Sequence, residues 1–348
     1  MKKLILSLLV IIVTLSFPAC CSIASAQENQ EKGTAKTENT SNSPSLSVSV
    51  TYTDSNENDY EEDYDAGSAL ALAVQFFYGD EVEQDYAIAM EWLQKAAALG
   101  NPVAMKNIGF MYFNGYGVPQ DYIVAKEWYQ KAADMGDAGA MKNIGVMYSE
   151  GYGVSRDYAA AMEWYQKAAD MGNADAMDSI GSMYYYGTGV SQDYAVAKEW
   201  YQKAADMGNA TAMRNVATMY INGYGVPQDY TVAMEWLQKA ADLGDADAMK
   251  RIGIMYSKGI GVTQDYAVAK EWYQKAANKG DATAAYNLGA MFFNGTGVSR
   301  DYQQALEWFG NAADAGDSKG IEYIQMLVDK GYVSVEDAAP WLGQHRNG

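Results

Sequence analysis

From Asp65 onward the chain repeats itself every 36 residues, and this period limits its possible folds more than any other feature. The copies run 65–100, 101–136, 137–172, 173–208, 209–244, 245–280 and 281–316, with no insertion in any of them. A fixed period of this length means a solenoid. One supersecondary unit cannot bury its own apolar face and does so only by stacking on its neighbours.

The copy 101–136 shows why the unit is a helix pair. Ala104, Met105, Ile108, Gly109, Met111 and Tyr112 fall at helical spacing and predict a first helix, helix A. The run Asn114-Gly115-Tyr116-Gly117-Val118 breaks it, because glycine accepts a left-handed backbone at little cost. Asp121 stands where an N-cap belongs, and Tyr122, Ala125, Trp128, Tyr129 and Ala132 then line the inner face of helix B. Gly136 closes that helix and leads into the next copy. The expected fold is all-α, an αα-superhelix of seven helix-turn-helix units.

The pattern strongly resembles the Sel-one-like repeats, relatives of the tetratricopeptide repeats. The residues that carry the resemblance are Ala104-Met105, Ile108-Gly109, Tyr112, Gly115-x-Gly117-Val118, Asp121-Tyr122, Ala125 and Trp128-Tyr129-x-Lys131-Ala132-Ala133. Seven copies cover 252 of 348 residues. The end copies depart from the pattern: Asp80-Glu81 replaces Tyr-Gly in the first, so its loop is expected to turn differently, and Gly310-Asn311 replaces Gln-Lys in the last. Residues 317–348 read as capping helices, one over 318–329 and one over 334–342 with Trp341.

Repetition also separates framework from function. Trp92, Trp128, Trp164, Trp200, Trp236, Trp272 and Trp308 hold one position and are expected in the core rather than on a sugar-binding platform. Glu127 and Asp121 recur in the same way, whereas paired acid-base catalysis needs two differently tuned carboxyls in one cleft. The Gly-x-Gly-Val segments follow a helix and lack the Lys-Ser/Thr ending of a phosphate loop. The one histidine, His345, rules against a histidine metal centre or triad, and no cofactor motif is present. A formal charge of −19 argues against nucleic acid as a partner.

Before the repeats lie an export signal and a linker. Lys2 and Lys3 precede the apolar run Leu4 to Phe17, and Ala24-Ser25-Ala26 offers a small-x-small cleavage site, so residues 1–26 read as a signal peptide and the mature chain starts at Gln27. A rival reading takes Phe17-Pro18-Ala19-Cys20 as a loose lipobox with Cys20 lipid-anchored. Both place the protein outside the cytoplasm, periplasmic or secreted, without a transmembrane span in the mature chain. Residues 27–64 read as a disordered acidic and polar linker. Leu46, Val48, Val50 and Tyr52 alternate as a strand would, but no second strand signal accompanies them and the stretch is taken as coil.

Function should lie where copies differ and side chains face outward. By resemblance to tetratricopeptide arrays, the variable helix A positions line a concave groove. The sixth position reads Leu70, Lys106, Lys142, Asp178, Arg214, Lys250 and Tyr286. The seventh reads Ala71, Asn107, Asn143, Ser179, Asn215, Arg251 and Asn287. Five cations on one surface of an acidic protein suggest an anionic partner group, and the resemblance implies a carboxylate clamp by Lys and Asn. Two plainer roles stand beside this: Lys paired with acidic neighbours, and Asn bonding the adjacent copy. Phe110, Phe113, Tyr185, Tyr186, Tyr286 and Phe293 depart from the common pattern and offer apolar contact points. The reading is a non-catalytic scaffold that binds an unidentified protein or peptide through Lys106, Asn107, Phe110, Lys142, Asn143, Tyr185, Arg214, Asn215, Lys250 and Arg251. The alternatives are a cell-wall-active enzyme built on Ser179, Ser182 and Lys142, and a glycan-binding module built on Tyr185, Tyr186 and Phe113.

Overall fold

The computed structural model describes residues 48–53 and 59–343. The signal 1–26, Cys20, the stretch 27–47 and the tail with His345 lie outside the described residues. The chain divides into two compact units, the first ending at Gln192 and the second starting at Asp193.

The first unit opens with an antiparallel strand pair, β1 (Val48–Thr53) and β2 (Asp59–Tyr64), where the sequence suggests linker. The register sets Val48 against Tyr64 and Tyr52 against Tyr60. Strand-favouring residues at alternate positions therefore do find a partner, but its Tyr residues are embedded in an acidic run that hides the signal. Helix pairs follow: α1 (Ala66–Tyr78) with α2 (Tyr86–Ala98), α3 (Pro102–Asn114) with α4 (Tyr122–Asp134), and α5 (Ala138–Glu150) with α6 (Tyr158–Asp170). Then α7 (Ala174–Tyr186) completes the unit.

The second unit begins with α8 (Tyr194–Asp206) and continues with α9 (Ala210–Asn222) and α10 (Tyr230–Asp242), α11 (Ala246–Lys258) and α12 (Tyr266–Asn278), and α13 (Ala282–Asn294) and α14 (Tyr302–Asp314). It ends with α15 (Ser318–Asp329) and α16 (Val335–Leu342). Within each unit every helix packs on its neighbours in the chain.

The helix boundaries follow from local chemistry. Asp121 accepts from the amides of Ile123 and Val124 at 2.9 and 3.0 Å, and Asp85, Asp157, Asp193, Asp229, Asp265 and Asp301 cap their helices in the same way. Helix A packs on helix B across a seam that has no room for a side chain. A Cβ on Gly109 would stand 2.7 Å from the Tyr129 ring, and one on Gly145 2.6 Å from Tyr165. In the second unit Gly253 meets Tyr273, and Gly289 meets Phe309, equally closely. Where this position is Ala, at Ala73 and Ala217, the helix B residue is Leu93 and Leu237. Volume is thus conserved across the seam, as dense packing requires.

Two further expectations change. The first loop does not turn differently: Glu81 takes the place of Gly117 and adopts the same left-handed backbone, φ 60° against 68°. The repeated tryptophans are half-buried rather than fully buried. Each of Trp92, Trp128 and Trp164 carries a Lys ammonium over its ring, from Lys95, Lys131 and Lys167, at 3.9, 3.9 and 4.3 Å from the centroid. The last copy has Asn311 in place of that Lys. Its Gly310 makes room for the cap, since a Cβ there would lie 2.2 Å from the Trp341 ring. The Trp341 indole N–H in turn donates to Asp314 at 3.1 Å.

Candidate interaction surface

The sequence-predicted residues fall on helix A of successive copies, and each unit treats them differently. In the first unit Lys106 reaches the next copy, its ammonium 3.8 Å from Asp137, the N-cap of α5. Asn107 and Lys142 are buried, only 4% and 6% exposed, which overturns the expectation that these positions face outward. Asn143 hydrogen-bonds the Tyr129 hydroxyl, so this Asn holds the preceding copy's helix B. Burial pushes the Tyr129 phenol well above its usual range, with the Asn143 contact acting the other way.

The aromatic candidates are packed as well. Phe110 belongs to the first apolar cluster, with ring centroids 6.4 Å from Phe77 and 5.8 Å from Tyr116. Phe113 is held edge-on between Tyr122 and Tyr152 at 5.0 and 5.2 Å. Tyr185 lies edge-on to Tyr186 at 4.8 Å, and Tyr186 itself is 72% exposed. Ser179 donates its hydroxyl to the Asp175 carbonyl of its own helix at 2.9 Å, an arrangement that positions it for its backbone rather than for a base.

In the second unit the cations meet in one network. Arg214 contacts Asp245 at 3.4 Å and Asp247 at 2.9 Å, and Arg251 contacts Asp247 at 2.7 Å. Lys250 bridges Asp247 and Asp281, the latter at 2.9 Å. Three cations and three carboxylates thus balance in charge. Burial opposes ionisation of Asp247, but hydrogen bonds from Lys250 and Arg251 and the charges of Arg251 and Arg214 hold its carboxyl far below the usual range. Burial likewise opposes the Lys250 charge, and its bonds to Asp247 and Asp281 prevail and raise it above the ordinary lysine value. Asn215, beside Arg214, is half-buried.

One rule relates these contacts. The sixth-position cation of one copy reaches the N-cap Asp of the next, 31 residues on, at Lys106–Asp137, Arg214–Asp245 and Lys250–Asp281. That spacing is present in the sequence and was the signal for these carboxylates, which the sequence analysis leaves unassigned. Among the described residues, no fully buried side-chain nitrogen or oxygen lacks a hydrogen-bond partner. Lys106, Arg214 and Lys250 of the basic ladder thus join one copy to the next.

The Sel1 repeat family matches this chain seven times, at residues 66–101, 102–137, 138–173, 174–209, 210–245, 246–281 and 282–317. The chain belongs to the Sel1 repeat family. Solved structures agree: a Sel1 repeat protein from Oxalobacter formigenes is 36% identical over 70% of this chain and 98% of its own, with a TM-score of 0.63. A protective antigen of uropathogenic Escherichia coli with the SLR fold is 34% identical over 79% of this chain, with a TM-score of 0.55. This Sel1 chain spans 60% of the length of that antigen. No curated protein matches the sequence. Sel1 repeats are generally non-catalytic protein-interaction folds, and among the described residues no helix is long and apolar enough to cross a membrane.

Proposed function

We propose that this Sel1 chain is an exported scaffold that binds a protein partner outside the cytoplasm. The observation that carries the reading is the use of chemistry-bearing side chains as joints. Lys106, Arg214, Lys250 and Arg251 bind carboxylates of their own chain, Asn143 holds Tyr129, and Ser179 bonds its own helix. Packed helix pairs with their polar groups already engaged lose little entropy when a partner docks. Export is supported by Lys2-Lys3, the apolar run Leu4 to Phe17 and Ala24-Ser25-Ala26. The similar Escherichia coli protein is described as a protective antigen, which fits exposure outside the cytoplasm.

Ion pairing makes the basic ladder a poor clamp for a free carboxylate, because a ligand would have to displace Asp137, Asp245, Asp247 or Asp281. Glycan binding is a second reading, favoured by the exposed ring of Tyr186 beside Tyr185.

The test is capture from envelope and culture-fluid fractions of the source cell by the chain from Gln27, followed by hydrogen-exchange footprinting of the complex. One partner that protects repeat amides is the expected result. Capture of no protein, or hydrolysis of cell-wall material by the purified chain, overturns the reading. Retention on glycan resin that is lost in Tyr186→Ala favours the second.

A further inference from the structure

The chain carries its methionines in two settings. On helix A they recur as Met111, Met147 and Met219, fully buried at 0% exposure. In the turn that leads from helix B into the next copy stand Met135, Met171 and Met207, 49%, 51% and 51% exposed. Every other methionine among the described residues is buried or half-buried. Stacking does not require the exposed three. Leu243, Lys279 and Ala315 occupy the same turn position in later copies. The Met135 and Met171 methyls rest against the preceding turn, 3.8 and 3.7 Å from where a Cβ would stand on Gly100 and Gly136. The same point on Gly280 has nothing within 4 Å, so the turn forms without that cover.

A thioether is soft and oxidisable, and exposure decides which sulfurs an oxidant in water reaches. Cysteine, the usual competitor, is confined to Cys20 and Cys21, and from Gln27 onward the chain has no thiol. A two-electron oxidant therefore meets these three thioethers first. A sulfur lone pair forms the S–O bond as the O–O bond of hydrogen peroxide breaks. The hydroxide that leaves takes up the proton of the transferred oxygen and departs as water. Sulfur loses two electrons and the peroxide gains them. The product sulfoxide is polar and accepts hydrogen bonds. That is tolerated at a half-exposed turn and costly at Met111 or Met147, which lie inside the apolar clusters.

We propose that Met135, Met171 and Met207 are the oxidation site of this chain, taking oxygen from hydrogen peroxide as methionine sulfoxides and leaving the fold intact. The inference goes beyond the scaffold reading and does not depend on it. Limiting peroxide is consumed at the turns, and the methionines that pack helix A are spared. Methionine sulfoxide reductases reverse the change, so the site can be used repeatedly. Oxidation also turns an apolar turn surface into a polar one without altering the stack.

The test treats the chain from Gln27 with limiting hydrogen peroxide and follows it by intact mass and peptide mapping. Oxygen should add at Met135, Met171 and Met207, each about tenfold faster than at any other methionine. Helical content and the thermal midpoint should be unchanged at that stage. A pair of methionine sulfoxide reductases, one for each epimer, should then return the original mass. In the variant Met135→Leu/Met171→Leu/Met207→Leu the fast additions should vanish, while the slow ones keep their wild-type rates. Leu99 and Leu243 show that the turn accepts leucine, and an equal thermal midpoint confirms that the variant is folded. The proposal is overturned if Met111 or Met147 takes oxygen as fast as the turn methionines. It is also overturned if the three sulfoxides lower the midpoint, if the reductases leave them in place, or if the variant keeps the fast uptake.

Discussion

The loop of the first copy and the loop of the second make the same turn with different residues. Glu81 and Gly117 occupy one repeat position and share the left-handed backbone, at φ 60° and 68°. What differs is the neighbour. Gly117 faces the start of the preceding copy's helix B, where a Cβ would lie 2.6 Å from the Tyr86 Cβ and 2.9 Å from its carbonyl carbon. Among the described residues no helix B precedes the first copy, so a glutamate fits. Backbone strain alone is therefore tolerated, and the glycine of the interior copies is required mainly by stacking.

The largest effect follows from that difference. Gly117→Ala should cost about 2–4 kcal/mol, combining left-handed strain with overpacking against Tyr86. Much of the clash is with backbone and Cβ, so trimming Tyr86 to Ala should not restore stability. Gly225→Ala in the second unit should cost the same, because the Tyr194 carbonyl carbon and Cβ both lie 2.8 Å from the added atom. Chemical denaturation measures both. A loss of only about 1 kcal/mol, the strain alone, would erase the distinction between end and interior copies.

Interior copies also share charge, which the ends do not. The first copy has Leu70 at the sixth position, buried in the apolar cluster, while Arg214 and Lys250 reach carboxylates of the copy that follows them. Asp247→Asn should destabilise the second unit by about 2 kcal/mol, because Arg214, Lys250 and Arg251 lose their common anion. The pH dependence has a definite sign. The Asp247 carboxyl is held below its unfolded value of 3.8, so its stabilisation is present above that pH and disappears as pH falls through the folded value. The stability gap between wild type and Asp247→Asn should thus narrow below pH 3.8. A gap unchanged down to acid unfolding would show that the network's charge does not stabilise the unit.

The helix pairs were legible because the same local signals occur seven times. Asp caps, Gly-containing loops and the 3.6-residue apolar stripe act within a single copy, and one sequence suffices to read them. The candidate site was less legible because it depends on contacts between copies. Lys106 and Lys142 look alike in sequence, yet one is half-exposed beside Asp137 and the other is buried. The Asp137, Asp245 and Asp281 side chains carry no assignment in the sequence, although they cap helix A and also accept the cations 31 residues before them. Tryptophan recurrence signalled framework correctly but not depth, since a Lys over the exposed ring face leaves the indole half-buried.

The smallest effect tests the end of the array. Glu81→Gly relieves left-handed strain worth about 1–2 kcal/mol, but glycine also gives the unfolded chain about 0.5–1 kcal/mol more conformational freedom to lose. The net expectation is stabilisation of about 0.5–1 kcal/mol, opposite in sign to Gly117→Ala at the equivalent position. If Glu81→Gly destabilised instead, the glutamate side chain would have to make a contact that outweighs its strain, and the first loop would resemble an interface more than a free end. If both substitutions were neutral, neither the φ nor the neighbour would govern this loop. Opposite signs at one repeat position would show the stacked copy, rather than the turn, selecting glycine.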